Sequence, residues 1–321
     1  EILVNSSTTG DQIAPEIAMA PDGRFVVVWS HLTSTSWANY DVYAQRFAAD
    51  GSPQGGEIHV VLPVGTISVA SQKADVAMAD DGSFIVIAEA WVGPGFNTGV
   101  VAQRYSAAGA PVGSIIRIDE GSAWHGTSPR VAMAADGRFA AVWKSTSVFE
   151  TLYKRFAADG TPLGVAENIF VPGQSSEDPD IAMASDGRIA LVGASSNHNY
   201  SVFLRVKAAD GSEVLPMTWI LSSTNFYNGG SHTRLSYADD GQIDVVWMRM
   251  QGSGFSSVEG RVFDEGGSPL GPFFTAASTT SGYSLPSLAA TPDGRFVTVW
   301  GLDDIYGQLY DANGALLGVM Q

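Results

Sequence analysis

Six residues stand at one place in six related segments of the chain: Glu16, Asp75, Arg130, Asp180, Arg234 and Ser287. Carboxylates and guanidinium groups brought to a common point can do two kinds of chemistry. Glu16, Asp75 and Asp180 carry the groups that a glycoside hydrolase or lyase uses as acid, base or nucleophile. Arg130 and Arg234 suit a polar or carboxylate ligand, which a guanidinium grips through two parallel hydrogen bonds. A third reading needs no ligand: mixed charges around a narrow channel neutralise one another.

A second set of residues is aromatic. Trp37, Tyr40, Trp91, Trp124 with His125, Tyr200, and Phe226 with Tyr227 fall in segments rich in asparagine, serine and glycine. A ring beside amides or carboxylates grips a sugar: the ring stacks on the apolar face of the pyranose and the polar groups bond its hydroxyls. Four of the five histidines, His31, His125, His198 and His232, are expected in the same loops. They come from separate loops with no ligand spacing, so they read as ordinary histidines and not as a metal site. Asp303-Asp304 is the best paired-acid candidate. It reads as a solvated turn that could take a stray cation such as calcium. No other cofactor is implied. No Gly-x-Ser-x-Gly elbow is present, which leaves a serine hydrolase without its nucleophile.

What must position these residues is a repeat. Pro15 to Trp29 reads Pro-Glu-Ile-Ala-Met-Ala-Pro-Asp-Gly-Arg-Phe-Val-Val-Val-Trp, and related segments begin at Ala74, Pro129, Pro179, Thr233 and Pro286. Each holds one Asp-Gly pair, at Asp22, Asp81, Asp136, Asp186, Asp240 and Asp293, in steps of 59, 55, 50, 54 and 53 residues. Self-similarity at that period is the mark of a propeller, one four-stranded blade per repeat. Within a repeat a first strand (Glu16 to Ala20) meets an Asp-Gly turn, whose glycine supplies the positive φ of a tight hairpin. The second strand, Arg24 to Trp29, is apolar on both faces, as a blade sandwiched between neighbours requires. A third strand (Val42 to Phe47), a second glycine turn (Asp50-Gly51 in the first repeat) and a fourth strand (Glu57 to Val61) complete the unit. Arg46, Arg104, Arg155 and Arg205 recur at one place of the third strand, which argues for structural pairing, with repeat acids as candidate partners.

The expected fold is therefore all-β: one six-bladed β-propeller domain over 1–321, with blades near 15–61, 74–118, 129–169, 179–221, 233–275 and 286–321. The sixth repeat stops at Gly318-Val319-Met320-Gln321, where a fourth strand should begin. Residues 1–5 (Glu-Ile-Leu-Val-Asn) resemble the missing strand and are expected to complete that blade and close the ring. Both Asp-Gly-type turns of each blade would then share one face. The longer loops that carry the aromatics would share the other.

The unit Asp-Gly-Arg-Phe-Val-Val-Val-Trp, followed by Tyr-Ala-Gln-Arg-Phe-Ala-Ala-Asp-Gly-Ser-Pro (Tyr43 to Pro53), resembles a tandem repeat of large secreted bacterial proteins of RTX or adhesin-like character. The resemblance covers essentially the whole chain and implies the propeller fold and an extracellular or cell-surface location. The repeats drift: the tryptophan at Trp29, Trp143, Trp247 and Trp300 is Ala88 in the second repeat and Gly193 in the fourth. The nonapeptide calcium repeat of RTX proteins and the sialidase box are both missing.

Composition narrows the partners. Net charge is −16, from 33 acids against 17 bases, a field that repels nucleic acid and anionic membranes. No apolar run is long enough to insert into a bilayer, and the opening Glu1 to Val4 lacks the character of a secretory leader. Without cysteine, thiolate catalysis and disulfides drop out. The leading expectation is a non-catalytic extracellular recognition module, lectin- or adhesin-like, that binds glycan through loop aromatics. A glycoside hydrolase or lyase at the channel mouth and a structural or protein-interaction domain are the rivals.

Overall fold

A computed structural model of the chain shows, among the described residues, 24 β-strands and no α-helix. The structure describes residues 2–7, 9–32, 40–60, 69–91, 98–119, 126–145, 147, 150–170, 176–195, 198–223, 230–251, 255–279, 286–291, 293–301 and 304–320. The strands form six four-stranded antiparallel blades, and the fold is a six-bladed β-propeller. They fall into two compact units, 1–168 and 169–321, of three blades each.

In the first unit, blade 1 is β1 (Gln12–Met19), β2 (Phe25–Leu32), β3 (Tyr40–Phe47) and β4 (Ile58–Val60). Blade 2 is β5 (Val69–Met78), β6 (Phe84–Trp91), β7 (Thr98–Tyr105) and β8 (Pro111–Arg117). A single pair, Tyr40 with Val69, joins the two into one continuous sheet. Blade 3 is β9 (Gly126–Met133), β10 (Phe139–Ser145), β11 (Glu150–Phe156) and β12 (Glu167–Asn168). In the second unit, blade 4 is β13 (Glu177–Met183), β14 (Ile189–Ser195), β15 (Ser201–Lys207) and β16 (Glu213–Leu221). Blade 5 is β17 (Gly230–Tyr237), β18 (Ile243–Gln251), β19 (Phe255–Phe263) and β20 (Phe274–Thr279). Blade 6 is β21 (Pro286–Ala290), β22 (Phe296–Gly301), β23 (Ile305–Tyr310) and β24 (Leu316–Met320).

The second strand of a blade is buried on both faces, as its composition requires. In β2, Val26 and Val28 pack with Val76 and Val86 of blade 2, while Val27 and Trp29 pack with Phe47 and Val4 on the opposite face. Trp143 and Trp247, at the same register position, are fully buried.

The Asp-Gly turns are three-residue hairpins. Gly23 donates to the Ala20 carbonyl, Ala20 donates to the Arg24 carbonyl, and Gly23 sits at φ +86°. The aspartate side chain closes the turn by accepting the backbone N–H two residues on, as Asp22 does from Arg24 at 3.1 Å. That bond and the Arg24 side chain hold the Asp22 carboxyl below its ordinary pKa.

Arginines then lock neighbouring blades. Arg24 donates to the Asp81 carbonyl of blade 2 at 3.1 Å. Arg46 donates to the Ala107 carbonyl at 2.5 Å, and Arg104 to the Ala158 carbonyl of blade 3. The recurrent third-strand arginines Arg46 and Arg104 thus pair with turn carbonyls of the next blade. Arg205 takes an acid, Glu213 of its own blade, at 2.5 Å.

The closure expected from the sequence is corrected. Blade 6 has its own fourth strand: Gln308 pairs with Val319 and Leu309 with Gly318. Gly318 lies inside that strand, paired with Leu309, and does not end it. Residues 2–5 form no strand. They lie along blade 1, where Val4 packs on the cluster of Val27, Trp29 and Phe47, and the Ser6 N–H bonds Glu57.

Candidate functional site

The first strands carry a feature that no motif signals. In β1 the register gains one residue between Ile13, opposite Ser30, and Glu16, opposite Val28. The same single-residue bulge interrupts β9 before Arg130, β13 before Asp180 and β17 before Arg234. Each bulge holds a non-glycine residue at positive φ: Ala14 (50°), Ser128 (52°), Asp178 (44°) and His232 (50°). Left-handed backbone costs an L-residue about 1–2 kcal/mol. Bulges of this kind re-aim side chains and gather beside functional sites. In each of these blades the residue re-aimed is the one the sequence placed at the channel mouth. β5 has a wider irregularity ahead of Asp75, between Val69 and Ala74.

In the first unit three of these residues meet. Arg130 of blade 3 donates to Glu16 of blade 1 at 2.5 Å and lies 3.5 Å from Asp75 of blade 2. The side chains keep 19%, 36% and 13% of their surface, so Glu16 is the one open to solvent. Asp75 also accepts the Val131 N–H at 2.8 Å. The cluster therefore presents a guanidinium clasped between two acids.

The second unit repeats part of this design. Asp180 accepts the Leu235 N–H at 3.0 Å, matching the bond from Val131 to Asp75 one blade pair earlier. Arg234 donates to the Thr233 carbonyl at 2.8 Å. Beside it, Asp178 and His232 come within 3.5 Å of each other, and Ser231 Oγ lies 3.2 Å from His232 Nδ1. Both partners of that pair sit on left-handed bulge residues.

Other expected site residues fare differently. Tyr40 begins β3 and is 8% exposed, packed in the core of blades 1 and 2, so it offers no face for a sugar. Tyr200 is half-buried and lies at φ 59°. Trp91 ends β6. Trp37, Trp124, His125, Phe226, Tyr227 and Asp303 lie outside the described residues. Asp304 is exposed, and the described residues contain no group of three or more ligating side chains that could hold a metal ion. His31 and His232 lie on strands β2 and β17 and not in loops.

No protein-family model and no curated protein matches the sequence. Solved structures do. The chain is similar to an ulvan lyase bound to -[GlcA(1-4)Rha3S]-, with a TM-score of 0.57 and 8% identity over 94% of this chain and 82% of that one. It is similar to the Penicillium chrysogenum alpha-L-arabinanase complexed with arabinobiose, with a TM-score of 0.58 and 11% identity over 95% and 94%. A Hadza microbial sialidase gives 0.54 at 12% identity over 94% of this chain and 65% of that chain. At these identities the likeness is one of fold.

Proposed function

We propose that the chain is an extracellular bacterial propeller that binds carbohydrate without turning it over. One observation carries the reading. Two of the three candidate catalytic carboxylates, Asp75 and Asp180, brace the backbone N–H of the next blade. A general acid or base must exchange a proton during the reaction, and protonating either carboxylate would weaken the bond that positions its neighbour, because a neutral carboxyl oxygen is a poorer acceptor than a charged one. What is left in the first unit is a fixed guanidinium with a half-open acid, Glu16, on one side: a donor and an acceptor held a few ångströms apart, as sugar hydroxyls or a uronate would engage. The glycan-directed names of the lyase, arabinanase and sialidase of similar fold support a carbohydrate ligand. They also supply the rival reading, turnover at the same cluster with Glu16 as the active acid.

The deciding experiment is a glycan array with the whole chain, in calcium and again in EDTA, beside a depolymerisation assay on the retained polysaccharides. The expected result is retention that Arg130→Ala weakens at least tenfold, with no new chain ends released. Release of products that Glu16→Gln abolishes would replace binding with catalysis. Retention lost in EDTA would add a calcium ion to the site.

A further inference from the structure

Blade 4 departs from the repeat in one row of side chains. In blade 1 the row runs Trp29, Tyr43, His59 across β2, β3 and β4. In blade 4 it runs Gly193, Phe203, Trp219 across β14, β15 and β16. A side chain at Gly193 has no room: a Cβ there would lie 2.7 Å from Ser176 Oγ and 3.0 Å from the Phe203 ring. The bulky indole has in effect moved from the buried second strand to the outer fourth strand. Phe203 and Phe170 fill the vacated core, at 0% and 6% exposure. Trp219 stays half-buried, edge-on to Phe170 at 5.6 Å.

The loop beside it is built to hold polar groups against that indole. His198 lies 5.1 Å from the Trp219 ring and edge-on to Phe170 at 5.9 Å. Its Nδ1 is 3.1 Å from Ser195 Oγ, and its carbonyl accepts from Ser201 Oγ at 2.7 Å. When the Ser195 hydroxyl donates, Nε2 carries the proton and is a hydrogen-bond donor. The next two residues, Asn199 and Tyr200, both take left-handed backbone, at φ 56° and 59°. Asparagine tolerates that region, but a bulky tyrosine there is an outlier. The turn is pinned on both sides, by Tyr200 N–H to the Ser195 carbonyl at 2.7 Å and Gly230 N–H to the Tyr200 carbonyl at 2.6 Å. Strain held in place by its surroundings gathers at ligand clamps.

From these features we infer a second sugar site on the edge of blade 4, with Trp219 as the stacking platform and His198 and Asn199 as hydroxyl partners. It rests on the carbohydrate reading and deepens it by naming a ligand class. A ring platform beside an imidazole, with an amide as the next residue and no arginine or lysine among the three, selects a neutral pyranose over a uronate or a sulfated sugar.

The test is saturation-transfer NMR on the whole chain with methyl pyranosides (glucoside, galactoside, mannoside) and methyl glucuronide as probes, run with thermal melts. The Arg130→Ala chain, whose first-unit cluster no longer offers its guanidinium, should transfer saturation to ring protons of a neutral pyranoside and not to the glucuronide. Trp219→Ala should weaken that signal at least tenfold. Asn199→Gly is the sharper variant, because glycine relieves the left-handed backbone while removing the amide. It should raise the melting temperature and weaken binding at least threefold, two movements that a merely structural turn would not combine. Unchanged binding in both variants would overturn the blade 4 site. If Arg130→Ala abolishes array retention in that case, carbohydrate binding itself stands. A wild-type chain that neither gives transfer nor is retained on the array would overturn both.

Discussion

The two ends of a blade are built on different plans. At the Asp-Gly end every blade does the same thing: the glycines of the two hairpin turns, the first Gly23 and the last Gly314, take φ between +79° and +95°, and aspartates close the first turn, as at Asp22, Asp136 and Asp186. At the opposite end of the first strands the backbone device repeats, in the bulges at Ala14, Ser128, Asp178 and His232, but the side chains it aims do not. Glu16, Arg130, Asp180 and Arg234 differ in charge and reach. Uniform side chains on uniform backbone belong to the scaffold. Varied side chains on a strained, uniform backbone are where recognition can be written.

That contrast can be broken by experiment. The largest effect belongs to the core on which both ends rest. Trp143→Ala should cost about 3–5 kcal/mol in denaturant unfolding, because a fully buried indole is lost. A near-neutral shift would show that the blade core does not depend on this row.

Next come the braces. Asp75→Ala leaves the Val131 N–H without its acceptor and should cost about 2–4 kcal/mol. Asp180→Ala should cost a similar amount through Leu235, while Asp180→Asn, which keeps an acceptor, should cost well under half as much. Equal losses in the Ala and Asn variants would mean that charge, and not the backbone bond, is what matters.

Asp244 offers a gain. It stands where other repeats have Val26, Ile85, Ala140, Ala190 or Val297, and it is 1% exposed. Burial pushes its pKa up to about 6, against hydrogen bonds from Ser236 and Gln242 that pull it down. The fold then holds the proton more tightly than the unfolded chain does. Stability from this group is full below about pH 4, falls between about pH 4 and 6, and stays low above. Asp244→Asn should stabilise the chain by about 1–3 kcal/mol at pH 7 and flatten that part of the pH profile. Melts across pH 3 to 8 would read both.

The smallest effect tests the uniform end. Gly137→Ala, at φ +83° with Ala158 Cβ 3.3 Å from the new methyl, should cost about 1–2 kcal/mol. Binding should be unchanged. A loss of glycan at this position would put recognition on the face assigned here to the scaffold.

The uniform end was legible because its causes are local. An aspartate followed by glycine declares a turn within four residues, and the apolar second strand declares burial on two faces. The recognition end was legible only in part. The register of the repeat placed Glu16, Asp75 and Arg130 together, and they are together. The brace from Asp75 to Val131 spans 56 residues and has no local signature. Nor do the bulges, since alanine, serine, aspartate and histidine carry no mark of left-handed backbone. Tyr40 was misread because an aromatic at a strand's first residue can face the core as readily as the solvent. Trp219 was missed because the signal lay elsewhere, in the missing tryptophan at Gly193, whose replacement has to be sought across two strands. The end of blade 6 was misread because its fourth strand starts at Leu316, directly after the Asn313-Gly314 turn, so residues 318–320 continue a strand that was expected only to begin there.

The arginine locks have a consequence for how such a chain can lengthen. Arg24, Arg46 and Arg104 each reach forward and grip main-chain oxygens of the following repeat. A carbonyl is present whatever the residue, so the receiving half of the joint asks nothing of the neighbour's sequence beyond its turn. A repeat that carries such an arginine holds the tongue of a joint whose groove any copy of itself supplies. A gene duplication that adds a repeat brings both halves with it, leaving the far ends of the blades free to diverge.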